Sequence, residues 1–156
     1  MSLRTAAKRW AFNFFPAFRR TGARITHMSD DERRVEVRLP LKRATRNYVG
    51  TIYGGVMYSA LDGILMVMFI RLLGKGYIVW DKAGRIEYLK PGRSALLTTI
   101  EITEEDLQFV RDTLEQQSRL EKEFTLEWRD ANGDVCCRVH KLLYFRRREQ
   151  KTGQTL

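Results

Sequence analysis

The sequence predicts an α+β fold: a curled antiparallel sheet wrapped around one long buried helix, with an extra N-terminal helix. Three observations carry this. A stretch from Asn47 to Ile70 holds a single charge, Asp62. After it come segments in which apolar and polar residues alternate, punctuated by turn signals at Pro91-Gly92 and Asn132-Gly133. The composition, with 156 residues, 44% hydrophobic and 30% charged, suits one domain with its own core. It excludes disorder, collagen-like repeats and a disulfide scaffold.

Residues 1–20 are basic and aromatic and contain no acid. Trp10, Phe14 and Phe18 recur at a spacing of four, which suits one helical face packed on the domain. Pro16 should kink or end that helix. The same composition fits a membrane-surface helix or an organelle-targeting segment. No continuous apolar run or small-residue cleavage site marks a secretory signal.

Arg24–Ser29 and Arg33–Leu39 read as strands joined at Asp30-Asp31. In the second, Val35, Val37 and Leu39 alternate with Arg34, Glu36 and Arg38. Pro40 to Val49 is a loop. A helix is expected from Ile52 to Leu73, with Gly74 as its stop. It is apolar on nearly every side, so it belongs in a bilayer or inside protein. A carboxylate at mid-bilayer costs about 2.5–3.5 kcal/mol, and the flanks are strand-like, so burial in a sheet protein is expected.

Tyr77–Lys82 and Arg85–Leu89 read as strands, with a bulge at Gly84. Ser94–Thr103 is a further strand. Glu104–Ser118 is a short polar helix with an acidic first turn. In Leu120–Arg129, Phe124, Leu126 and Trp128 face one way. Beyond the last turn, Val135, Cys137, Val139, Leu143 and Phe145 line one face, and Lys141 is the odd residue on it. Residues 138–156 form the last strand and a basic tail. No linker or repeat divides the chain, so 1–156 reads as a single domain. A helix apolar all round leaves surface for a facing subunit, so a homodimer or a dimer of dimers is expected.

The net charge of +9 is uneven. Residues 1–29 carry six basic residues and no acid, residues 138–151 carry six against Glu149, and residues 101–127 carry nine acids against three bases. A basic surface favours nucleic acid, acidic lipid or a phosphate-bearing metabolite. No nucleic-acid-binding signature is present, so nucleic acid is not the expected partner. The adjacent Cys136 and Cys137 point to a reducing, cytoplasmic setting. No zinc-ligand spacing exists, so no metal is expected.

The segment NYVGTIYGGVMYSALDG (Asn47, Gly50, Thr51, Gly54, Gly55, Asp62), the strand YIVWDKA (Tyr77 to Ala83) and Lys90-Pro91-Gly92 carry a resemblance. Together they resemble the hotdog-fold thioesterases over nearly the whole chain, most closely a subfamily known only as a domain of unknown function. The resemblance implies hydrolysis of an acyl-CoA or acyl-carrier-protein thioester at a dimer interface, without a cofactor. It also implies a nucleophile or general-base role for Asp62. Many relatives have His-Gly-Gly where this chain has Tyr53-Gly54-Gly55, so no histidine is available there. The alternative is a non-catalytic hotdog protein that binds acyl thioesters or lipids.

Thioester hydrolysis needs donors for an oxyanion and a carboxylate to activate water or attack. Gly54 and Gly55 open the helix and admit a carbonyl to backbone N–H groups, or they simply pack tightly. Asp62 lies seven residues beyond Gly55, ~10 Å along a helix. It would therefore serve a carbonyl held by a facing helix, or be structural, bonded to Tyr58 or Ser59. Asn47 orients water or stabilises its loop. Thr51 caps the helix at the N–H of residue 53 or 54. Val56, Met57, Tyr58, Leu61 and Leu65 supply an apolar substrate wall, and Tyr53 donates a hydrogen bond to substrate or simply packs. Asp81 is the second carboxylate, reaching the site or pairing with Lys82 or Arg85. Arg85, Lys90, Arg93 and Arg146 to Arg148 compete for coenzyme A phosphates. His27, His140 and Cys136 read as structural.

Overall fold

The computed structural model describes residues 2–148. Two short helices, α1 (Leu3–Phe14) and α2 (Pro16–Arg20), break at Phe15-Pro16, where proline removes a helical donor. Strands β1 (Arg24–Met28) and β2 (Arg34–Leu39) follow. The central apolar segment forms two helices, α3 (Gly54–Ser59) and α4 (Ile64–Leu73). Then come β3 (Tyr77–Tyr88), β4 (Leu96–Glu101), α5 (Glu104–Gln116), β5 (Leu120–Arg129) and β6 (Val135–Arg147). Residues 149–156 of the expected basic tail lie outside the described residues.

All six strands form one antiparallel sheet in the order β1-β2-β4-β5-β6-β3. It wraps α3 and α4, whose inner faces are deeply buried. Met57, Leu61, Ile64, Leu65, Met68 and Phe69 are all at most 5% exposed. Each such side chain contributes about 1.5–3 kcal/mol of apolar burial. Trp128 on β5 is fully buried, and its indole N–H donates to the Met57 carbonyl at 2.9 Å, tying α3 to the sheet. Gly54–Leu73 is long and apolar enough to cross a bilayer by length and composition. Here the curled sheet receives it.

Several expectations are corrected. The central helix begins at Gly54 rather than Ile52, because the Ile52 and Tyr53 N–H groups are taken by Gly92 and Thr45 carbonyls. It is also interrupted: Gly63 adopts φ +78°, a left-handed conformation that favours glycine, and α4 restarts after it. The two expected strands around Gly84 are one 12-residue strand, and its register shift falls between Asp81 and Ala83. Trp10 and Phe14 do not pack on the domain; they are 53% and 56% exposed. Phe18 is buried, with Thr5 and Asn13 on the inward face of α1. β3 lies at one edge of the sheet and pairs only with β6 among the described residues.

Candidate active site

The residues singled out in the sequence gather in two places. Asn47, Thr51, Tyr53, Gly54 and Gly55 line an 810 Å³ groove at the start of α3, facing Tyr88 to Gly92. Within it the Asn47 amide is fully engaged by Thr51. Its Nδ2 donates to the Thr51 hydroxyl at 2.9 Å, and its Oδ1 accepts the Thr51 N–H at 3.0 Å. Asn47 thus holds a loop, and Thr51 does not cap the helix. The N-cap residue is Tyr53, which makes no side-chain capping bond.

The N–H groups of Gly54 and Gly55 have no hydrogen-bond partner among the described residues. The space their missing side chains leave is taken by aromatic rings. A Cβ at Gly54 would lie 2.5 Å from the Tyr88 hydroxyl, and one at Gly55 would lie 2.7 Å from the Tyr53 ring. Burial pushes the Tyr88 phenol above its usual pKa, so Tyr88 is a neutral donor at the groove wall.

The carboxylates form a second cluster. Asp62 lies in the turn between α3 and α4, and its side chain is 56% exposed rather than buried. The break at Gly63 sends it to the open face. Lys141, on the inner face of β6, is 1% exposed and donates to Asp62 Oδ1 at 2.5 Å. Its Nζ also lies 3.3 Å from Asp81 Oδ1, and 5.0 Å from the centre of the Tyr58 ring. Glycine at 84 makes room for this, since a Cβ there would overlap the Tyr58 hydroxyl. Lys82 and Arg85 pair elsewhere, with Glu121 and Glu87, which frees Asp81 to face inward.

Burial works against both charges, and the outcome differs. Desolvation raises the Asp81 pKa above the usual carboxylate range, with Lys141 only partly opposing it. Desolvation also lowers the Lys141 pKa, but Asp62 and Asp81 outweigh it and hold the ammonium above its ordinary value. Lys141 therefore stays charged at neutral pH. It is the residue that sequence reasoning missed, although its misfit on an apolar strand face was the signal.

The expected apolar wall is also revised. Leu61 and Leu65 sit in the core and are closed to substrate, while Met57, also buried, reaches the floor of the groove at the start of α3. Val56 and Tyr58 are partly buried and pack against that core. The open apolar surface beside Asp62 is a different one. A 760 Å³ groove runs between α1–α2 and α4, lined by Phe12, Phe15, Phe18, Met66 and Val67, with Asp62 and Gly63 in its wall.

The remaining residues fall out plainly. Lys90 is paired with Asp130 and Asp134, and Arg147 with Glu115. Arg119, Arg146, Arg147 and Arg148 line a 600 Å³ cleft near α5. Cys136 and Cys137 are free and buried, and burial pushes the Cys137 thiol up to about 12, so neither is a ready nucleophile. His140 contacts Thr125, Glu87 and Glu123. No group of three or more His, Cys, Asp or Glu is arranged to hold a metal among the described residues.

A family model described as "Domain of unknown function (DUF4442)" matches residues 4–145. The chain belongs to the DUF4442 family. A comparison with curated protein sequences returns no match. Solved structures resemble this DUF4442 protein closely in fold. A Pseudomonas aeruginosa protein of unknown function superposes with a TM-score of 0.81 at 17% identity, covering 95% of this chain and 99% of that one. A Haemophilus influenzae thioesterase gives 0.66 at 15% identity, covering 98% and 96%. A Bacillus halodurans protein crystallised with CoA gives 0.53 at 21% identity, covering 70% and 66%. The fold of the DUF4442 chain is therefore the hotdog fold of these thioesterase-like proteins.

Proposed function

We propose that this protein is a hydrolase of acyl-CoA thioesters with an apolar acyl group. One observation carries the reading: the Asp62 carboxylate, held by a buried lysine, opens beside an apolar groove of ligand size. The neighbours support it, since the Pseudomonas aeruginosa protein is described as a probable thioesterase, the Haemophilus influenzae one as a thioesterase, and the Bacillus halodurans one was solved with CoA.

In this proposal a second copy pairs across the free edge of β3, which would otherwise stay an unprotected strand edge. A two-fold axis there sets the two α3–α4 segments antiparallel on one continuous sheet. Asp62 of one copy then serves a thioester whose carbonyl oxygen rests on the free Gly54 and Gly55 N–H groups of the other. Asp62 takes a proton from water as the water oxygen attacks the carbonyl carbon. The oxyanion accepts hydrogen bonds from the two N–H groups, then collapses and expels the CoA thiolate. The reading places the protein in the cytoplasm, where free thiols persist. Release of free thiol from a panel of acyl-CoAs tests it, with wild-type protein and Asp62→Asn in parallel.

A second reading rests on two features of the same site. Lys141 already engages Asp62, and Tyr53 and Tyr88 cover the glycines. A protein that binds acyl thioesters without cleaving them fits these features. Calorimetric binding of an acyl-CoA with no thiol release would favour it over hydrolysis.

A further inference from the structure

The N-terminal face carries a surface that the proposed hydrolysis does not use. Trp10 and Phe14 are 53% and 56% exposed, and Leu3 is 92% exposed. Trp10 and Phe14 stack at 5.4 Å, with the Arg9 guanidinium over the first ring and Arg19 over the second. Arg9, Trp10, Asn13, Phe14, Arg19 and Arg24 line a 500 Å³ cleft with no acidic residue in its wall.

These rings are not a frayed end. Asn13 exchanges two hydrogen bonds with the Ile25 backbone, at 2.8 and 3.0 Å. Thr5 donates to Asp30 at 2.9 Å, and Phe12 packs edge-on against the buried Phe18. The helix is thus fixed to β1 and presents its aromatic side outward. Of the basic residues up to Arg24, Lys8 alone meets a carboxylate among the described residues, that of Glu32. The hydrogen bonds of Arg9 and Arg24 go to backbone carbonyls, those of Ile25 and Ala23.

We infer that α1, α2 and the start of β1 form a docking surface for an anionic lipid bilayer. The match is one of chemistry. Unpaired arginines meet lipid phosphates and carboxylates, while indole and phenyl rings gain by entering the headgroup boundary. A nucleic acid would share the charge term, but it has no use for Leu3, and Phe14 already covers the Trp10 face on which a base would stack. Docked this way, the ligand-sized groove between α1–α2 and α4 lies next to the membrane-facing helices.

The test is co-sedimentation of the whole protein with vesicles of phosphatidylcholine alone or with 30% phosphatidylserine (roughly the anionic content that sets a strong surface potential). Binding to the anionic vesicles alone, weakening steeply with salt, is expected. Each arginine near such a surface raises partitioning about fivefold, so Arg19→Gln/Arg20→Gln/Arg24→Gln should bind about 100-fold more weakly. Trp10→Ser/Phe14→Ser should also bind more weakly, with the salt dependence kept. Unchanged melting temperatures confirm that both variants fold, and the wild-type lipid and salt dependence stands without them. Absence of binding to anionic vesicles at low salt overturns the inference. So does tighter binding to duplex DNA of equal charge concentration. A fall in oligomeric mass for Trp10→Ser/Phe14→Ser, with vesicle binding intact, would instead assign the rings to a protein interface and overturn it too.

Discussion

The ammonium of Lys141, 1% exposed, reaches from the inner face of β6 to the carboxylate of Asp62, 56% exposed, at 2.5 Å. A buried cation thus grips an acid that stands in solvent. The lysine also lies 3.3 Å from Asp81, so one positive charge serves two carboxylates. Burial of the lysine keeps this contact from being screened as a surface pair would be. The arrangement fixes where Asp62 points, and the predictions follow from that.

Asp62→Asn keeps the size of the side chain and removes its basicity. If Asp62 activates water, turnover should fall by at least about 100-fold while substrate binding changes little. Thiol release and melting temperature measured on one preparation check this. A fully active, normally stable variant would remove Asp62 from the mechanism and leave Asp81 as the next carboxylate.

Lys141→Met removes the shared cation and leaves Asp81 in its half-buried site. Breaking a buried pair by removing one partner costs about 3–5 kcal/mol, and the lower end applies here because Asp62 is half in solvent. The pH dependence has a definite sign. Asp81 already has a raised pKa, chiefly from burial, and losing Lys141 raises it further. Between the unfolded and the folded pKa the native state then binds more protons, so stability falls as pH rises through that window. The gap between variant and wild type should widen from pH 4 to pH 8 in denaturant titrations. A gap that stays constant would show that Asp81 does not feel Lys141.

The alternation in β2, β5 and β6 was legible because each strand buries one face, and Trp128, Val139 and Phe145 take the inner positions their spacing predicts. The end of the central helix at Leu73, before Gly74, was legible, but its start was not, since Ile52 looks helical by composition yet its N–H is claimed by Gly92. That contact spans forty residues and leaves no local trace. Gly63 lies inside the apolar run with no local sign of a break, yet its positive φ turns Asp62 toward solvent. Asn47, Thr51, Gly54 and Gly55 line one groove, and they are close in sequence. Lys141 was noticed as a misfit but not joined to Asp62, because 79 residues separate them.

Assembly can be tested on the two methionines that the sequence could not tell apart. Met57 is 3% exposed in the core, so Met57→Glu should unfold the chain rather than dissociate it. Met66 is half-buried on the open face of α4, so Met66→Glu should keep the fold and weaken a dimer. Light scattering should give about twice the 18.3 kDa chain for the wild type and a lower mass for Met66→Glu. A wild-type monomer at micromolar concentration would sink the β3-edge dimer.

The groove beside Asp62 predicts how acyl length is read. Val67 is half-buried in its wall, opposite the phenylalanines of α1 and α2. Val67→Trp adds a ring into a space of 760 Å³, enough to shorten the groove without touching the core beneath it. Each methylene a chain buries is worth about 0.8 kcal/mol, so a chain that loses two or three contacts loses roughly 10- to 50-fold in affinity. The kcat/KM for a long-chain acyl-CoA should therefore fall at least about tenfold, while that for acetyl-CoA or butyryl-CoA stays near the wild-type value. The split between long and short substrates is the deciding readout. An equal loss on both would mean that the ring disturbs Asp62 itself, and no loss on either would place the acyl chain in the groove lined by Tyr53 and Tyr88 instead.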